Sequence, residues 1–141
     1  MKLNQLTIKQ AQQGLQNRKF SAIELNRACL RQIKRLNKKI NALITVCEKE
    51  ALEQAKKADK LLSHQPSVTS HQLLLGIPIG IKDIFSTRDI KTTAGSKILE
   101  NYIPVYDATV VRKLKEAGAI ILGKTNLDAW AHGSSGENSD F

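Results

Sequence analysis

The run Leu73-Leu74-Leu75-Gly76-Ile77-Pro78-Ile79-Gly80-Ile81-Lys82-Asp83 constrains the fold of this chain more than any other stretch. Nine uncharged residues, punctuated by two glycines and a proline, lead straight into a lysine and an aspartate. The run is too short to cross a membrane. Its apolar continuity between glycine and proline predicts a strand buried on both faces, which needs a layer of helices on either side. Lys82 then stands where the strand emerges, with apolar groups behind it and little water. Such a setting disfavours the charged ammonium and suits a lysine to act as a base. The same lysine can equally snorkel to solvent or pair with Asp83.

Around this strand the periodicities alternate. Thr7-Ile8-Lys9-Gln10 and Ser21-Ala22-Ile23-Glu24 fit the capping box, so each predicts the start of a helix. In the second helix Ala22, Leu25, Cys29, Ile33, Leu36 and Ile40 form one apolar stripe, with Arg27, Arg31, Lys34, Arg35 and Lys38 on the remaining surface. Residues 42–46 read as a strand, residues 48–62 as a helix with Ala51, Ala55, Ala58 and Leu62 inward, and residues 63–72 as a loop. Thr92-Thr93-Ala94-Gly95-Ser96 is a small, polar loop that could bring backbone close to a ligand. Asp107 is the expected cap of a helix with Val110, Val111, Leu114 and Ala117 on its apolar face, and Gly118 is its expected stop. Residues 119–123 form a buried strand, and a further helix is expected near residues 127–131. Strand, helix and strand in this order predict a βαβ unit. The fold class is α/β: N-terminal helices over residues 1–72, then part of a mixed, largely parallel sheet flanked by helices over residues 73–141.

Charge divides the chain in the same way. Residues 1–60 hold 14 Lys and Arg against 5 Asp and Glu, which accounts for the whole net charge of +9, while residues 61–141 balance at 8 against 8. A basic half can mark an RNA or an acidic partner, or simply the solvated face of amphipathic helices. Six aromatics, only Phe20 of them before residue 85, leave little for stacking on bases. Two cysteines, Cys29 and Cys47, exclude a disulfide framework. With no apolar leader and no membrane-length run, the chain reads as soluble and cytoplasmic.

Two motifs promise more than they deliver. Gly118-Ala119-Ile120-Ile121-Leu122-Gly123-Lys124-Thr125 matches the P-loop letter for letter, but its four variable positions are the strand itself, so no phosphate cradle is expected. Gly133-Ser134-Ser135-Gly136-Glu137 has Glu137 where a nucleophile elbow needs glycine. His132 beside the two serines lacks a third group to orient it, and His64 and His71 have no metal spacing.

The combination carries more than its parts. Gly76-Ile77-Pro78-Ile79-Gly80-Ile81-Lys82-Asp83 resembles the lysine motif of the amidase signature family, and the likeness continues through residues 91–102, 106–111, 118–128 and 133–139. Within the family it is greatest to the glutaminase subunits of tRNA-dependent amidotransferases. The resemblance implies a Ser-cisSer-Lys triad with Lys82 as its lysine and both serines downstream of the residue matching Phe141, so these residues alone are expected to be inactive. It implies Gly133 and Ser134 as substrate contacts, with glutamine as the substrate and no metal or cofactor bound by this chain. It also implies partner subunits, a heterotrimer being expected, that use the released ammonia and ATP to amidate Glu-tRNA(Gln). Ala129-Trp130-Ala131-His132 replaces the family's commoner Glu-Phe-Ala-Met. An amidase of the same family acting on a free small amide, and a non-catalytic basic RNA- or partner-binding module, are the alternative readings.

Overall fold

Thr7 and Ser21 open the first two long helices as their spacing predicts. The Thr7 hydroxyl accepts from the Gln10 N–H while the Gln10 side chain accepts from the Thr7 N–H, and Ser21 and Glu24 repeat the exchange. The computed structural model describes residues 2–64 and 72–141. In it α1 (Ile8–Gln16) and α2 (Ala22–Ile40) lead into β1 (Leu43–Val46), α3 (Glu48–His64), β2 (Pro78–Lys82), α4 (Thr109–Glu116) and β3 (Ile120–Thr125). Residues 65–71, most of the expected loop and the site of His71, lie outside the described residues. Ser63 and His64 finish α3 instead.

α3 runs back along α2. Its Asp59 carboxylate accepts the Ala22 and Ile23 N–H groups at the N-terminus of α2, at 2.6 and 3.1 Å. Its first turns, at Glu48 and Leu52, share a groove with Leu30 and Lys34. The last turns of α2 therefore overhang α3, and Ile40, expected on the buried stripe, is 59% exposed. Burial is concentrated at Ala22, Leu25, Asn26 and Leu30. Asn26, polar and unanticipated, donates to the carbonyls of Ala22 and Gly76 and ties α2 to the turn before β2.

The sheet order is β1-β3-β2, with β2 parallel and β1 antiparallel to β3. The strand buried on both faces is thus β3, not the run before Lys82. Ile120 and Leu122 join the core made with α1, α2 and α3, while Ile121 packs with Ile81, Val111 and Leu114 on the opposite face. The apolar run at residues 73–83 is a strand only over Pro78–Lys82. Ahead of it the backbone turns: Leu74 and Gly76 N–H groups donate to Ala117 and Gly118, and Gly76 takes a left-handed φ of +82°. A proline at the first strand position and this turn leave β2 short and at a sheet edge.

α4 stops at Gly118 in the left-handed conformation, as expected. Its start differs. Ala108 occupies the N-cap without a side-chain bond, because the Asp107 carboxylate is taken by the Arg88 N–H at 2.7 Å and the Lys115 ammonium at 2.8 Å. Val110, expected on the apolar face, is exposed while Val111 is fully buried.

Gly123 tests how closely β1 lies on β3. A Cβ there would overlap the Thr45 carbonyl oxygen and sit 2.8 Å from a Leu43 methyl and 3.1 Å from the Val46 Cα. Gly123→Ala is expected to destabilise the chain by ~1–3 kcal/mol, the usual cost of overpacking. It should also speed exchange of the Cys47 amide, which donates to the Leu122 carbonyl at 2.8 Å. An unchanged melt with full protection at Cys47 would contradict the close approach.

Candidate active site

Strand alternation decides which side chains meet at the end of β2. Ile81 and Asp83 turn inward and are buried, and Lys82 between them is exposed. The dry surroundings expected for Lys82 belong instead to Lys124, which is fully buried on the neighbouring strand. Lys124 Nζ lies 3.1 Å from Asp83 Oδ1 and donates to Thr92 Oγ1 at 2.6 Å and to the Phe85 carbonyl at 3.0 Å. Burial pushes the Lys124 pKa below its usual value, and the Asp83 carboxylate opposes that shift. Asp83 Oδ2 accepts from both the N–H and the hydroxyl of Thr93, at 2.8 and 2.6 Å. Cys47 is nearby, and burial first, then the Glu50 carboxylate, pushes its thiol up to about 11, so it is inert at neutral pH.

This pair organises the loops. Residues 92–96, expected as a ligand-approaching loop, are buried around Asp83 and Lys124. The Ala94 carbonyl accepts from the Trp130 N–H at 2.8 Å, and a Cβ on Gly95 would fall 2.6 Å from the Leu127 carbonyl oxygen. Asp140 joins the same loop, its carboxylate accepting from the Lys97 N–H and the Ser96 hydroxyl. Those bonds, the backbone one first, hold the Asp140 carboxyl below the usual range.

The helix expected near residues 127–131 is a single 3₁₀ turn, Ala129–Ala131, with Trp130 and Ala131 in left-handed backbone. Its amides are spent elsewhere, Ala129 N–H on the Asn138 carbonyl and Trp130 N–H on Ala94. The turn carries the chain to the far side of a cleft of about 380 Å³, lined by Lys82, Asn126, Asp128, Gly133, Ser134 and Ser135 among others. Lys82, Gly133 and Ser134, singled out from the sequence, therefore share one cleft. No hydrogen bond joins His132 to either serine among the described residues. Nor do three His, Cys, Asp or Glu side chains converge there as a metal site would require.

Sequence reasoning passed over Asp128. It is buried, and its two oxygens accept the Asn138 and Gly136 N–H groups at 2.8 and 2.9 Å. Those N–H groups, Asn138 first, and the charge of Lys82 hold its carboxyl below the usual range. The available signal was an aspartate just past a buried strand and a few residues before a Gly-Ser-Ser-Gly turn.

A family model described as Amidase matches residues 24–141. The chain belongs to the amidase family. It is 51% identical over its whole length to the A subunit of glutamyl-tRNA(Gln) amidotransferase from Thermoanaerobacter pseudethanolicus, of which it covers 28%. It is 46% identical over its whole length to the protein of that name from Desulfatibacillum aliphaticivorans, again covering 28%. Among solved structures, that of the glutamyl-tRNA(Gln) amidotransferase A subunit from Thermotoga maritima is 39% identical with a TM-score of 0.72, over 99% of this chain and 26% of that one. The peptide amidase of Stenotrophomonas maltophilia is 30% identical with a TM-score of 0.83, over 91% of this chain and 26% of that one. The chain thus spans little more than a quarter of the length of its curated relatives. Among the described residues no helix is long and apolar enough to cross a membrane.

Proposed function

We propose that these residues form the N-terminal part of the glutaminase subunit of a cytoplasmic, tRNA-dependent amidotransferase. Residues 1–72 would be its helical region and residues 73–141 the start of its amidase core. The observation that carries this reading is 46–51% identity across the whole chain to proteins named as the A subunit of glutamyl-tRNA(Gln) amidotransferase. In this reading Lys82 is the base of a Ser-cisSer-Lys triad. A serine attacks the glutamine side-chain amide, a second serine relays its proton to Lys82 and back to the nitrogen that leaves as ammonia, and water then cleaves the glutamyl ester to release glutamate and free the serine. Gly133 and Ser134 contact the glutamine. Partner subunits, in a heterotrimer, consume the ammonia and ATP to convert Glu-tRNA(Gln) to Gln-tRNA(Gln).

Supplied with glutamine, ATP and Glu-tRNA(Gln), the complete assembly is expected to form Gln-tRNA(Gln) and to release glutamate. The 141 residues assayed alone should hydrolyse no glutamine. The likeness to peptide amidase favours, as the second reading, hydrolysis of a free small amide. Fast turnover of small amides, with no glutamine-dependent amidation of tRNA, would establish that reading instead.

A further inference from the structure

We propose that Asp128 is a positioning residue, whose carboxylate clasps the loop at residues 133–138 and sets where that loop meets the amide substrate opposite Lys82. The inference rests on the glutaminase reading above and deepens it. Asp128 directly follows the buried Leu127, so its backbone is anchored beside the sheet. Its side chain reaches a loop that is itself exposed throughout. Each oxygen holds one amide, Oδ1 that of Asn138 and Oδ2 that of Gly136. The Asn138 carbonyl in turn accepts from the Ala129 N–H at 3.0 Å, so Asn138 is fastened on both sides. Gly133 crosses so near that a Cβ would lie 2.5 Å from the Asp128 carboxyl carbon and Oδ2. Gly136, in contrast, has left-handed backbone and open space around its Cα, so packing does not fix it. The register of the loop depends on an ionised acceptor of two amides, and of the residues so held Gly136 lines the cleft that Lys82 lines, together with Gly133, Ser134 and Ser135 of the same loop.

The test uses Asp128→Asn and Asp128→Ala in the complete amidotransferase. Asparagine keeps one acceptor and loses the other, so the two variants should be graded. KM for glutamine is expected to rise ~10-fold or more in Asp128→Ala, as for loss of a charge-assisted bond, and less in Asp128→Asn. The kcat should change less, and amidation driven by free ammonia should be unchanged. Hydrogen exchange at Gly136 and Asn138 should quicken while the rest of the chain keeps its protection. Unchanged KM with unchanged exchange at those amides overturns the inference, as does a loss of activity that merely follows a lowered melting temperature. Lys82→Ala run beside them separates the two readings. If Lys82→Ala is dead and both Asp128 variants are normal, only the clasp fails. If Lys82→Ala still hydrolyses glutamine, the triad assignment fails and the exchange rates alone decide the clasp.

Discussion

In the complete amidotransferase, Lys82→Ala and Lys82→Arg are both expected to abolish glutamine hydrolysis while amidation with free ammonia survives. In the proposed triad, Lys82 takes up a proton relayed from a serine. An amine can do so; a guanidinium, which stays protonated, cannot. Losing general-base help typically costs ~10²–10⁴-fold, and more where the residue works as part of a triad. Lys82 is exposed at the end of β2 and lines the cleft, so neither substitution removes a buried contact and the fold should be spared. Ammonia-driven amidation is the control that matters, because the proposed function assigns it to the partner subunits. Both activities should be measured on one preparation with a melting curve. Normal hydrolysis by Lys82→Arg would reduce Lys82 to a surface charge.

The fold was legible wherever a local pattern had one outcome. The capping boxes at Thr7 and Ser21, the alanine stripe of α3 and the Gly118 stop each depend on neighbours a few residues away, and each formed as read. The misplacements came from tertiary competition. Residues 73–77 are apolar enough for a strand, but the Leu74 and Gly76 amides are claimed by the turn between α4 and β3 and those of Leu75 and Ile77 by Gln72 and Leu74, so the strand shortens. Asp107 could cap α4, yet Arg88 and Lys115 claim its carboxylate first. Residues 127–131 are helix-like in composition, yet Ala94 and Asn138 take the bonds a helix would need. The site followed the same rule. Lys82, Gly133 and Ser134 stood out as a motif, whereas Lys124 matters through partners distant in sequence, and Asp128 through two loop amides with no repeating pattern to mark them. Lys124 was hidden further inside a pattern that looked like a P-loop, although a lysine in a doubly buried strand needs a counter-charge wherever the chain provides one.

That counter-charge carries the largest stability effect expected here. Asp83 and Lys124 are both fully buried and 3.1 Å apart, so removing either leaves the other charge buried without its partner. Breaking a buried pair by deleting one partner costs ~3–5 kcal/mol, against a typical domain stability of ~5–15 kcal/mol. Lys124→Met keeps the length of the stem but leaves the Asp83 carboxylate with only the two Thr93 donors. Asp83→Asn leaves the ammonium with the Thr92 hydroxyl and the Phe85 carbonyl. Each single variant is expected to lower Tm by more than about 10 °C in a chain of this size. Combining Lys124→Met with Asp83→Asn should recover much of that loss, since the double variant buries no uncompensated charge. Denaturant unfolding of the wild type, both singles and the double closes the cycle. Single losses below about 1 kcal/mol, or a double variant as unstable as the sum of the two, would mean that the pair is not what holds this region. The consequence reaches the cleft. The loop at residues 92–96 wraps the pair and carries the Ala94 carbonyl that holds Trp130, so a chain that survives either single substitution should still lose order in the turn leading to Gly133 and Ser134.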